Sequence, residues 1–128
     1  MPETKRRVLI IDDANLVRLY YRGALEAAGY GIDEAFNGVE ALEKLLERPA
    51  DLLIVDINMP QMDGLSFLKV LRRQAMPISS IPALVISTEA GAHDKDDARA
   101  AGCNFYLTKP VSPDNLKVYA ALLCGVAP

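Results

Sequence analysis

The sequence predicts an α/β domain built on a five-stranded parallel sheet, doubly wound in the flavodoxin-like (βα)5 manner. Two observations carry that reading. Five short apolar runs alternate with segments whose apolar residues recur at helical spacing. Three of the runs (residues 7–13, 52–55 and 82–87) are nearly continuous in Val, Ile and Leu, as befits strands covered on both faces. The other two, residues 30–35 and 104–108, are mixed and suit sheet edges. Strand order 2-1-3-4-5 satisfies both demands and is compatible with right-handed crossovers.

The elements follow in order. Residues 7–13 read as a strand that ends in Asp12 and Asp13, and Asn15 is the expected cap of the helix after it. That helix shows Val17, Tyr20, Ala24, Leu25 and Ala28 in line until Gly29. The run at 30–35 is interrupted by Gly31 and carries Asp33 and Glu34. Gly38, Ala41, Leu42, Leu45 and Leu46 mark the next helix face, which the Arg48-Pro49 pair ends. Residues 52–55 form the central strand. It stops at Asp56, Pro60 blocks further pairing, and Asp63-Gly64 is turn chemistry.

A third helix aligns Leu65, Leu68 and Leu71, and residues 77–81 form a loop before the strand at 82–87. From 90 to 101 the pattern is helical but poor in large apolar residues, with Ala98 and Ala101 inward. After the strand at 104–108, Ser112 caps a last helix that uses Leu116, Tyr119, Leu122 and Leu123. No repeat or linker interrupts the chain, so residues 1–128 are expected to be one domain with no output domain.

Composition narrows the function classes. The 128 residues are 51% hydrophobic and 24% charged, the profile of a globular protein. A net charge of −3 leaves no basic field for nucleic acid, and no apolar run is long enough for membrane insertion. Cys103 and Cys124 lack metal-ligand spacing and read as reduced packing residues of a cytoplasmic protein. His93 sits among charges and is expected in solvent.

The strand order places a topological switch point between the first and third strands, where ligands bind beyond the carboxyl ends. Asp12, Asp13 and Asp56 would meet there. Three close carboxylates repel, and a hard divalent cation such as Mg²⁺ relieves the repulsion. The fourth strand ends in Ser87-Thr88, whose hydroxyls can hold a phosphoryl oxygen, and the fifth in Lys109, a point cation. A carboxylate nucleophile that becomes an aspartyl phosphate fits this inventory.

In Asp12-Asp13, Asp56, Met59-Pro60, Asp63-Gly64, Ser87-Thr88, Tyr106 and Lys109-Pro110, the chain resembles a response-regulator receiver domain of two-component signalling, of the single-domain CheY type. The resemblance implies that Asp56 accepts phosphate from a sensor histidine kinase or phosphotransfer protein. It implies Mg²⁺ on Asp13, Asp56 and the Asn58 carbonyl, with Asp12 acting through water. Ser87 would meet the phosphoryl group, Lys109 would balance its charge, and Tyr106 would be the switch aromatic. Val111 departs from the aromatic often found after the Lys-Pro pair.

The resemblance further implies a switch, not an enzyme with turnover beyond its own phosphorylation and autodephosphorylation. Output would pass to a separate protein through the face of the fourth helix, fifth strand and fifth helix, from a monomer or weak dimer. Asn58 and Glu89 overlook the phosphoryl group and would set its lifetime, in the manner of short-lived chemotaxis-type regulators. One alternative is a phosphorelay intermediate or phosphate sink. A more remote one is a small phosphatase resembling the haloacid dehalogenase group, which needs an Asp where Asn58 stands.

Overall fold

The structure is a computed structural model, described for residues 5–126. The apolar runs become five parallel strands, β1 (Arg7–Ile11), β2 (Gly31–Ala35), β3 (Leu52–Val55), β4 (Ala83–Ser87) and β5 (Phe105–Thr108). Their order is β2-β1-β3-β4-β5, as the sequence predicts. Between them run α1 (Asn15–Ala27), α2 (Gly38–Glu47), α3 (Gly64–Leu71) and α4 (Ala92–Ala101), and α5 (Pro113–Cys124) follows β5.

Strand side chains alternate between faces, so each central strand feeds two apolar layers. Leu9, Ile11, Leu53, Val55 and Val85 pack with Ala41 and Leu45 of α2 and with Phe67, Leu68 and Leu71 of α3. Val8, Ile10, Leu52, Ile54, Leu84 and Ile86 pack with Tyr21 and Leu25 of α1 and Leu116 of α5. Full burial of each large side chain stabilises the fold by roughly 1.5–3 kcal/mol, which holds the three central strands in register.

Several local expectations are corrected. The first strand stops at Ile11, so Asp12 and Asp13 stand beyond the last ladder pair. β2, β4 and β5 each begin one residue later than their apolar runs, β3 coincides with its run, and α4 starts at Ala92. Asn15 does not cap α1: it is already helical, and its amide oxygen accepts from Arg18. The carboxylate of Asp12 takes the free Ala14 N–H instead, at 2.9 Å. The loop at 77–81 contains a 3-10 turn, Ile78–Ser80. Tyr20 is 46% exposed, whereas Tyr21 is 4% exposed and faces the core. Leu46 and Leu122 also point outward. Ser112 caps α5 as expected, accepting from the Asn115 N–H.

At the amino end of the sheet one guanidinium gathers four segments. Arg72, the residue that caps the carboxyl end of α3, donates to the carbonyls of Ser79, Ile81 and Gly102 and to the Asn104 side chain. Asn104 in turn accepts from the Ala83 N–H at 2.8 Å.

Two glycines give opposite expectations. A Cβ on Gly64 would lie 2.2 Å from the Asp56 carbonyl oxygen, a backbone atom that cannot step aside. Gly23 is helical and exposed, with nothing within 4 Å. Gly64→Ala is expected to lose about 1–3 kcal/mol, and Gly23→Ala to gain about 0.5–1 kcal/mol. Urea unfolding of both variants checks the signs.

Candidate functional site

The parallel register of β1 and β3 pairs Ile11 with Val55, so Asp12 and Asp56 emerge side by side from adjacent strand ends. Asp56 keeps its N–H on the Ile11 carbonyl at 2.9 Å, and Asp12 keeps its own on Ala35 at 3.0 Å. The backbone thus fixes both carboxylates before any side chain contributes. Asp13, one residue further, is exposed at the rim. Each of the three offers an oxygen, and these atoms lie within 4.8 Å of one another.

Burial makes this arrangement electrostatically costly. Asp12 is 2% exposed and Asp56 9%. Desolvation, and then the charge of Asp12, push the Asp56 carboxyl up to about 6, against a partial counter-effect from Lys109. Desolvation also raises Asp12, while the Ala14 N–H and Lys109 act in the opposite sense. The Lys109 ammonium stands 3.6 Å from Asp12 and 3.7 Å from Asp56, bridging the pair without a close hydrogen bond to either. One oxygen of Asp12, Oδ2, is buried with no hydrogen-bond partner.

Three carboxylates against one ammonium leave two negative charges, and the buried Asp12 Oδ2 that faces the ammonium has no hydrogen bond. All donors are hard oxygens, two of them buried and that of Asp13 at the exposed rim. The set therefore suits a divalent cation that retains several waters.

Ser87 ends β4 fully buried, and its hydroxyl oxygen accepts from the Glu89 N–H at 3.1 Å. The Lys109 N–H donates to the Ser87 carbonyl at 2.7 Å, which carries the lysine to the acid pair. Tyr106 donates its hydroxyl to the Glu89 carbonyl at 2.6 Å, so β5 holds the loop after β4 directly. Thr88, Glu89 and Asn58 are exposed around the rim. The predicted residues fall into two groups: Asp12, Asp13, Asp56 and Lys109 at the centre, and Ser87, Glu89 and Tyr106 linked through one loop. Asn58 stands on the loop after β3.

Sequence reasoning missed three supporting residues. Arg18 of α1 donates to the Asp12 carbonyl at 2.6 Å and to Glu34 at 3.0 Å, tying the first acidic loop to the end of β2. Asn37 caps α2 by accepting the Glu40 N–H at 2.8 Å, while Glu40 reaches back to the Phe36 N–H. The Asn37-x-x-Glu40 spacing is a capping-box signature and was the available clue. Asn37 also donates to Gln61 across 3.0 Å, a contact that no local pattern announces.

Comparison with known proteins agrees with this geometry. Residues 8–121 match the family described as the response regulator receiver domain. The chain is 38% identical over 122 residues to the chemotaxis protein CheY1 of Helicobacter pylori, covering 93% of this chain and 97% of that protein. It is 39% identical over 127 residues to the sensor protein EvgS of Escherichia coli, and spans about a tenth of that protein's length. A crystal structure of the chemotaxis protein CheY4 of Vibrio cholerae superposes with a TM-score of 0.87 at 32% identity, covering 94% of this chain and 99% of that one. The two-layered sheet with its acidic switch point thus has a family, and this chain belongs to the response regulator receiver domains of two-component signalling.

Proposed function

We propose that the protein is a phosphorylation-driven switch in which Asp56 accepts a phosphoryl group from a histidine kinase or phosphotransfer protein. The observation that carries this reading is the buried Asp56 carboxylate, faced by Lys109 and by two further acids at a strand end. An Asp56 oxygen attacks phosphorus, the P–N bond of a phosphohistidine breaks, and the imidazole leaves neutral, keeping the proton already on its other ring nitrogen. Asp13, Asp56 and the Asn58 carbonyl would hold Mg²⁺, with Asp12 acting through water, and the ion would supply charge neutralisation at the phosphoryl oxygens. Lys109 neutralises the remaining charge from the other side.

Ser87 then exchanges its Glu89 N–H for a phosphoryl oxygen, which moves the loop that Tyr106 holds. That motion reaches the face of α4, β5 and α5, where Phe105 and Tyr119 pack with ring centroids 4.7 Å apart beside exposed Val118 and Leu122. A separate cytoplasmic protein reads this face, and the chain itself has no turnover beyond acquiring and losing its own phosphate. The identity with a sensor protein favours a second reading, in which the phosphoryl group is passed onward as in a relay. Asn58 occupies the place of the acid a phosphatase of the haloacid dehalogenase kind requires, which weighs against that class.

Four outcomes test the reading. Asp56→Asn is expected to abolish labelling by acetyl phosphate with the fold intact; mass spectrometry of the intact protein checks this, and labelling at the wild-type level sinks the assignment. The same variant carries a stability signature. The Asp56 carboxyl binds its proton more tightly folded, at about 6, than at its ordinary 3.8. Its stabilising contribution is present below the ordinary value and is lost as pH rises through about 6. Metal-free Asp56→Asn should therefore melt a few degrees above wild type at pH 7.5, and the gap should close toward pH 4.

Lys109→Arg keeps the charge but changes its reach. It is expected to accept phosphate while the Tyr106 ring resonances shift less than in wild type on addition of beryllofluoride and Mg²⁺. An equal shift removes the lysine from the switch. Exposed Asn58 and Glu89 leave a path for an in-line water. Replacing both by bulky basic residues should lengthen the phosphoprotein's lifetime by about tenfold or more, read as phosphate loss with Mg²⁺ present.

A further inference from the structure

The loop after β3 contains a locally strained turn. Gln61 has φ +67°, and among the described residues it is the one non-glycine with positive φ. The Met62 N–H reaches the Pro60 carbonyl at 2.7 Å, an i to i+2 bond. Together these features define a γ-turn of the left-handed kind, which is rare and strained. Such a conformation persists only when its surroundings over-determine it.

The surroundings are supplied by the amino end of α2. Asn37 is 2% exposed, and its amide nitrogen donates to the Gln61 side chain at 3.0 Å while its oxygen caps the helix. The Gly38 N–H reaches the Met62 carbonyl at 3.3 Å, and a Cβ there would strike Met62 and Phe67 at 2.9 Å. At the far side of the loop the Gly64 N–H bonds the Ile57 carbonyl at 2.8 Å. The segment bearing Asn58 is therefore clamped at both ends, one of them on a different helix.

We propose that Asn37 and Gln61 are positioning residues for the cation site, acting through the backbone of Asn58. The inference rests on the proposed assignment of Mg²⁺ to Asp13, Asp56 and the Asn58 carbonyl. A carbonyl ligand has no side-chain freedom, so its aim is set by the turn that follows it. Support outside the ligand shell commonly changes metal affinity by 10–100-fold. Here that support reaches the loop from α2.

Titration calorimetry with Mg²⁺ alone, on the unphosphorylated protein at pH 8, tests the role. Gln61→Gly removes the pin, while glycine takes positive φ without penalty, so folding is preserved. Its Kd for Mg²⁺ should rise about tenfold with a melting temperature close to wild type. Gln61→Glu retains an acceptor for Asn37 and should restore the affinity. Asn37→Asp combined with Gln61→Glu keeps the helix cap and both shapes but leaves two carboxylates with no donor between them. Its affinity should also fall, although two added negative charges would by themselves strengthen cation binding. A Kd raised more than about twofold in both Gln61→Gly and the double variant but not in Gln61→Glu supports the role, and a Kd not so raised in either of the first two, or raised as much in Gln61→Glu, overturns it. A wild-type protein that gives no Mg²⁺ isotherm overturns the metal site itself, and this role with it.

Discussion

Two carboxylates emerge from neighbouring parallel strands because Ile11 and Val55 are register partners, and everything at the functional end of the molecule follows from that pairing. The strands are too apolar to shift: a slip by one residue would turn every core side chain toward the wrong layer. Hydrophobic register therefore enforces an electrostatic conflict between Asp12 and Asp56. Lys109 offsets only part of it, standing beyond close hydrogen-bond range of both acids. The site is poised for added positive charge because the core forbids the acids to separate.

The same end of the molecule carries the route by which the proposed response would travel. Lys109 is anchored through its backbone to Ser87, Ser87 holds the Glu89 N–H, and Tyr106 holds the Glu89 carbonyl. These contacts join β4, β5 and the loop between β4 and α4 through single hydrogen bonds, each worth about 0.5–1.5 kcal/mol net. Under the proposed phosphorylation, a charge-assisted bond donated by the Ser87 hydroxyl would be stronger than the neutral one it accepts from the Glu89 N–H.

The strand order and the convergence of Asp12, Asp13, Asp56 and Lys109 were legible because they depend on patterns a few residues long. An apolar run that ends in a carboxylate shows both a strand and its site-facing end. Helix phase was less legible. Tyr20 and Tyr21 are adjacent and chemically alike, and only the position of the sheet decides which is buried. Leu46 and Leu122 fit an apolar stripe yet face solvent, since helical spacing cannot show where the stripe ends. Asn15 was displaced as a cap by Asp12, whose strand-end position brings its carboxylate to the Ala14 N–H. The Asn37–Gln61 contact joins residues 24 apart, so only the folded chain shows it.

The Arg72 cluster gives the fold a mechanical polarity. Its guanidinium binds the carbonyl of Gly102, just past the end of α4, at the foot of the molecule and away from the acids. The inward contacts of α4 are Ala98 and Ala101, both in its last turn, so the charged first turn has no large apolar anchor. The helix is thus a cantilever, fixed at its carboxyl end and unloaded at the end nearest Glu89. Under the proposed switching, a displacement of the loop after β4 would meet least resistance at the amino end of α4, where His93 and Lys95 stand, and most at the foot that Arg72 and the two alanines hold.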